Sequence, residues 1–154
     1  MRRWTVVSVL VAATVFPIVA IGALRVVTQP WIVHFEVDHG RLPEDRYGFG
    51  DDDRVRLGLI GLEAIRPGGE GIALLERTTL TDGTPAFDDR ELRHMQDVRS
   101  IVGILFRLHT ALLVTVLLAA VALGRSRGGR LAVPRGLRWG AFATVGIAAV
   151  LGLV

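Results

Sequence analysis

From Trp4 to Leu24 the chain runs 21 residues without a charged side chain. A helix rises about 1.5 Å per residue, so a run of this length reaches across the roughly 30 Å hydrocarbon core of a bilayer. A cleaved signal peptide is the competing reading of an apolar N-terminus. This run is longer than a typical signal core, and Ile21-Gly22-Ala23 makes a poor cleavage site. The expectation is an uncleaved transmembrane helix over 4–25, with Pro17 as a possible kink.

A second apolar run, 101–124, contains Arg107 and His109. A third, 139–154, holds 16 residues and is short for a full crossing. In it Gly140, Thr144, Ala148 and Gly152 recur at i, i+4. Such a stripe lets a second helix approach closely, and Gly/Ala-rich helices also show it by chance.

Charge is segregated around these runs. All 15 acidic residues lie between Glu36 and Asp97, where ten arginines from Arg25 to Arg99 leave a formal charge of −5. Arg2 and Arg3 precede the first run, and Arg125, Arg127, Arg130, Arg135 and Arg138 lie between the second and third. The positive-inside rule then puts residues 1–3 and a basic loop, 125–138, in the cytoplasm and the acidic part, 26–100, outside a plasma membrane. The basic segment also suits anionic lipid. The pI of about 10.8 thus reads as topology, and separate short arginine segments argue against nucleic-acid binding. There is no cysteine and no lysine, which excludes disulfides, thiolate sites and lysine nucleophiles.

Within 26–100, Trp31–Val37 is rich in β-branched and aromatic residues and is expected as a strand or extended segment. Residues 41–50 read as a turn-rich loop punctuated by Pro43, Gly48 and Gly50. Asp51, Asp52 and Asp53 supply first-turn acids for a helix from about Asp52 to Ile65, stopped by Pro67-Gly68-Gly69. Residues 71–80 are expected as a short strand, followed by an Asp82-Gly83 turn. Asp88 and Glu91, three apart, have the spacing of an acidic capping box and open a helix that continues into the second apolar run. The expected fold is a mainly α membrane protein: three hydrophobic helices, the third short, with a small α+β extracytoplasmic domain between the first and second.

His94 and Asp97, at i and i+3 near the water–lipid boundary, share a helix face. A carboxylate beside an imidazole supports a general base, and a surface polar pair is the plainer reading. Asp97 has Arg90 and Arg93 as other possible partners. Arg107, about 10 Å along the helix from Ile101, either snorkels to headgroups or faces a polar cavity. With His109 it is the candidate for lipid or substrate contact. A zinc site from His34, His39 and His94 is not demanded by their spacing, so no metal and no cofactor is expected.

Arg41-Leu-Pro-Glu-Asp-Arg-Tyr-Gly-Phe49, Asp82-Gly-Thr-Pro85 and Arg90-Glu-Leu-Arg-His-Met-Gln-Asp-Val98 together resemble a bacterial integral membrane family that includes the lipoprotein intramolecular transacylases. The resemblance extends over nearly the whole chain. It implies four membrane helices, a small outer domain and transfer of an acyl chain from the glyceryl moiety of a lipoprotein's N-terminal cysteine to its α-amino group. It maps the family's first functional histidine onto His94, with Asp97 beside it, and makes membrane lipid and lipidated protein N-termini the partners. It also implies a further outer loop with a Phe-His-x-x-Phe-Phe-like motif and a fourth helix, so the chain reads as C-terminally truncated relative to the family. A non-catalytic, membrane-anchored envelope or interaction protein is the second expectation.

Overall fold

The computed structural model describes residues 2–39, 49–80 and 82–152. Among these it forms six helices: α1 (Arg2–Val27), α2 (Pro30–Asp38), α3 (Asp51–Ile65), α4 (Ile72–Glu76), α5 (Asp89–Leu123) and α6 (Arg127–Gly152). The described residues contain no strand, so the expected α+β outer domain is corrected to an all-helical one. The nearest approach to a sheet is an isolated antiparallel bridge between Thr79 and Pro85.

The two expected strands fail for local reasons. Trp31–Val37 lies in α2 because Pro30 presets the first helical position, behind Gln29 in extended conformation. Trp31 and Phe35 then meet edge to face at i, i+4, with centroids 6.3 Å apart. Close packing of α2 on α3 overrides β propensity, since a Cβ on Gly58 would stand 3.1 Å from Val33 Cγ1. Residues 71–80 split instead into α4 and the arm of a tight turn. There the Leu80 amide donates to Thr84 at 2.8 Å, and the Ala86 amide to Thr78 at 2.9 Å. The Asp-Gly turn forms with Gly83 at φ +83°, where a side chain would be strained. Thr81 and most of the loop expected over 41–50 lie outside the described residues.

The chain divides into two compact units, Met1–Leu24 with Arg107–Val154, and Arg25–Phe106. In the second unit α3 packs on α2 and α4. Its core includes the fully buried Ala64 and Leu75, with Val102 from α5. Arg99 supplies the polar part of that packing. Its guanidinium donates to the carbonyl of Ala64, to Arg66 at 3.4 Å and to Gly69 at 3.3 Å, satisfying groups where α3 ends. Gly71, at φ +83°, lies against it, and a Cβ there would sit 3.3 Å from the Arg99 Cζ.

In the first unit α1 and α6 run parallel. The Ser8 hydroxyl is shared between the carbonyls of Trp4 (3.0 Å) and Ala132 (2.9 Å). A Cβ on Gly136 would lie 2.5 Å from the Ser8 carbonyl oxygen, and one on Gly140 would lie 2.7 Å from that of Ala12. The buried face of α6 is therefore Gly129, Ala132, Val133, Gly136 and Gly140. The predicted small-residue stripe shares only Gly140 and half-buried Thr144 with this contact; Gly152 has open space around it.

The basic loop expected over 125–138 is helical from Arg127 onward. Ser126 Oγ accepts from the Gly129 amide at 3.0 Å and caps it. Among the described residues, α1 and α5 are long and apolar enough to cross a membrane. Only 17% and 11% of their apolar windows is buried, so neither is the sheathed core helix of a soluble domain. Where three hydrophobic membrane helices are expected, two among the described residues qualify as candidate spans by length and composition. Four arginines occupy the first half of α6 and separate it from the two helices that qualify.

Candidate functional site

The start of α5 is held by a compact set of polar contacts. Asp88 Oδ1 accepts from the amides of Arg90 and Glu91, both at 2.8 Å, and Glu91 Oε2 accepts from the Asp88 amide at 2.8 Å. This is a reciprocal capping box with an aspartate in the leading position. It holds the first turn of α5 and so fixes the side chains one and two turns further on.

An open groove of about 610 Å³ lies along this turn, lined by Phe87, Asp88, Arg90, Glu91, His94 and Met95. A second groove, of about 720 Å³, shares Phe87, Asp88 and Arg90 and continues towards Glu76 and Pro85. The two carboxylates of the first groove are committed to the cap. Arg90 and His94 stand at i, i+4 on its wall, and neither side chain has a hydrogen-bond or ion-pair partner among the described residues. Phe87 and Met95 make the groove apolar on the remaining sides, with Met95 Cε 3.8 Å from the Cβ position of Gly61 on α3. The groove thus offers one fixed cation and one imidazole beside an apolar surface. That combination suits a polar carbonyl or anionic group attached to an alkyl chain.

The sequence-derived candidates separate. His94 is exposed and lines the groove. Asp97 is exposed too, and no hydrogen bond joins it to His94, Arg90 or Arg93 among the described residues. Arg107 and His109 belong to the first unit. Arg107 is exposed on α5, and half-buried His109 lays its ring on Gly22 of α1, with Nε2 3.7 Å from the Cβ position. Two residues apart on a helix, they point to different faces. His39 stacks on Phe35 at 4.2 Å, with Nδ1 2.8 Å from the Phe35 carbonyl. Among the described residues no three potential ligands cluster to hold a metal ion.

By sequence alone Arg90 reads as a possible partner for Asp97. Its spacing from His94 was the signal that could have placed both on one wall. Arg25 was counted only as a charge. It donates to the Phe106 carbonyl at 2.8 Å and lies over the Phe106 ring at 4.3 Å. In the turn preceding α5, Asp82 Oδ1 accepts from the Thr84 hydroxyl at 2.6 Å and the Thr84 amide at 2.9 Å. These bonds, the hydroxyl's first, hold its carboxyl below the usual value of 3.8.

No family model matches the chain, and no solved structure matches it. A protein of Aquifex aeolicus (strain VF5), described only as uncharacterized, is 30% identical over 98 residues. That match takes in 63% of this chain and 45% of the relative. The chain therefore spans less than half the length of the protein it resembles.

Proposed function

We propose that the chain is an integral membrane protein of the plasma membrane that serves acyl transfer, with the groove at the start of α5 facing the extracytoplasmic side. The observation that carries this reading is the pairing of Arg90 and His94 on one amphipathic groove wall. His94 lies seven residues, about 10 Å, before the apolar run that begins at Ile101. A lipidated protein N-terminus presents an ester, an amine and acyl chains together at that height. The resemblance of Arg90–Val98 to the lipoprotein intramolecular transacylases supports the same substrate class.

In this reading the α-amine attacks the ester carbonyl carbon. His94 accepts the ammonium proton, and Arg90 faces the carbonyl oxygen as it gains charge. The C–N bond forms, the ester C–O bond breaks, and His94 returns the proton to the departing alkoxide. Atoms and charge balance with no cofactor. Asp97 acts on His94 only through a change of rotamer. Membrane topology follows the arginines, with residues 1–3 and the start of α6 cytoplasmic. Arg107 contacts lipid headgroups on the outer side.

Mass spectrometry of a reporter lipoprotein's N-terminal peptide tests this. His94→Ala is expected to lower the N-acyl, lyso product by about 100-fold or more relative to wild type. Identical acylation with and without His94 removes the catalytic reading.

One observation favours a second reading. Asp97 leaves His94 unsupported, and an unoriented imidazole is a weaker base. The chain would then be a non-catalytic, membrane-anchored envelope protein whose acidic outer unit binds a partner. Unchanged acylation, together with a defined partner retained by His94→Ala, is its signature.

A further inference from the structure

We propose that the outward face of α6 formed by Arg130, Leu131, Pro134, Arg135 and Arg138 is a binding site for the phosphate of an anionic phospholipid. These five residues line a groove of about 280 Å³. All are exposed, and they stand diametrically opposite the face that α6 buries on α1. At 100° per residue, Arg130, Pro134 and Arg138 form one i, i+4 row and Leu131 and Arg135 belong to the adjacent one. Three arginines therefore line one groove on the outward side of the helix.

No side chain of this unit answers that charge. Residues 1–24 and 107–154 contain eight arginines and no aspartate or glutamate. The four ion pairs among the described residues all lie in the other unit. The cluster is therefore not neutralised within its own unit, and a planar guanidinium binds phosphate through two parallel bonds.

The surroundings select a lipid over a free anion. Leu131, 65% exposed, sits between the arginines. Directly after Arg138 come Trp139, 61% exposed, and Phe142, 65% exposed, edge to face at 6.3 Å. From there α6 carries no charge to its end. A guanidinium cluster, then an aromatic pair, then an apolar stem is the order of groups met on passing from headgroup to acyl chain. The shared register of α1 and α6 puts Arg3, stacked 5.0 Å from the Trp4 ring, near the start of α6 and sets Arg138 level with about Ala13 of α1. Arg135 and Arg138 therefore reach headgroup phosphates by extending their side chains back toward the α6 N-terminus. A free phosphate would use the arginines and leave Leu131, Trp139 and Phe142 idle.

Native mass spectrometry of the full chain released from detergent, with phosphatidylglycerol and phosphatidylcholine of equal chain length supplied together, reads this directly. The expected result is retention of phosphatidylglycerol over phosphatidylcholine by about tenfold or more. The preference should shrink as salt rises from about 0.05 to 0.5 M. Arg130→Gln/Arg135→Gln/Arg138→Gln should abolish it, while Arg54→Gln/Arg56→Gln, on paired arginines of the other unit, should keep it. All three α6 positions are exposed, and the wild-type lipid preference is informative without any variant. Equal retention of the two lipids by wild type overturns the proposal, as does undiminished preference in the triple variant. Displacement of phosphatidylglycerol by millimolar inorganic phosphate overturns the lipid assignment in favour of a free-anion site.

Discussion

The Arg99 guanidinium, on α5, donates to the main-chain carbonyl of Ala64, 35 residues earlier, where α3 ends. One side chain thereby ties the helix that carries His94 to the end of α3, and it satisfies the Arg66 and Gly69 carbonyls as well.

Removing that clamp should loosen the second unit. A hydrogen bond to a charged group is worth about 1.5–3 kcal/mol, and the carbonyls left behind are partly buried. Arg99→Ala is expected to cost about 2–3 kcal/mol. Hydrogen exchange of the full chain in nanodiscs should show accelerated exchange over 62–72 and unchanged exchange in α6. Equal protection in wild type and variant would contradict it.

Loss of the cap on α5 should act nearer the groove. Asp88→Ala deletes the acceptor for the Arg90 and Glu91 amides and is expected to cost about 1 kcal/mol. Asp88→Ser retains an acceptor and should recover most of it. The amides of residues 90 and 91 report both outcomes.

The α1–α6 contact predicts a contrast between glycines. At Gly136 a Cβ would meet the Ser8 carbonyl oxygen at 2.5 Å and Val11 Cβ at 2.7 Å, backbone and branch-point atoms that cannot swing away. Gly136→Ala is expected to destabilise by about 1–3 kcal/mol despite alanine's better helix propensity. Gly146, with nothing within 4 Å, should accept alanine neutrally or gain up to about 1 kcal/mol. Thermal unfolding in a fixed detergent ranks the two variants.

The turn before α5 should respond to acid. Asp82 is held below its ordinary value by the Thr84 hydroxyl and amide, so its contribution is complete above about pH 3.8 and fades as pH falls through the lowered value. The Thr84 amide should therefore stay protected through about pH 3.8 and lose protection only as pH falls further, through the lowered value. Asp82→Ala should remove that acid-dependent step.

What could be read from the sequence was mostly local. The Asp88/Glu91 cap and the extent of α3 depend on residues three or four apart, and both formed as spaced. Trp31–Val37 misled because β-branched composition is a weak signal beside Pro30 and an i, i+4 aromatic pair. The first half of α6 hid its helix because arginine and glycine dilute the apolar period. Its real cue was Ser126 as cap, followed by small residues at 129, 132, 136 and 140. The Arg99 clamp had no local cue at all, since its partners lie 30–35 residues away. His94 was legible as a candidate. The wall it shares with Arg90 and its separation from Asp97 needed side-chain positions.

The Ser8–Ala132 bond joins residues 124 positions apart, and that interval is also a delay. A ribosome adding about 5–20 residues per second finishes α1 on the order of ten seconds before α6 emerges. Through that wait Ser8 has only its own Trp4 carbonyl for a partner, and the seam destined for Gly136 and Gly140 stays open. His109 of α5 can reach Gly22 earlier, but the α1 seam for α6 is among the last contacts to form. Errors at Gly136 or Gly140 would therefore surface late in biogenesis, as complete but unassembled chains open to quality-control proteolysis.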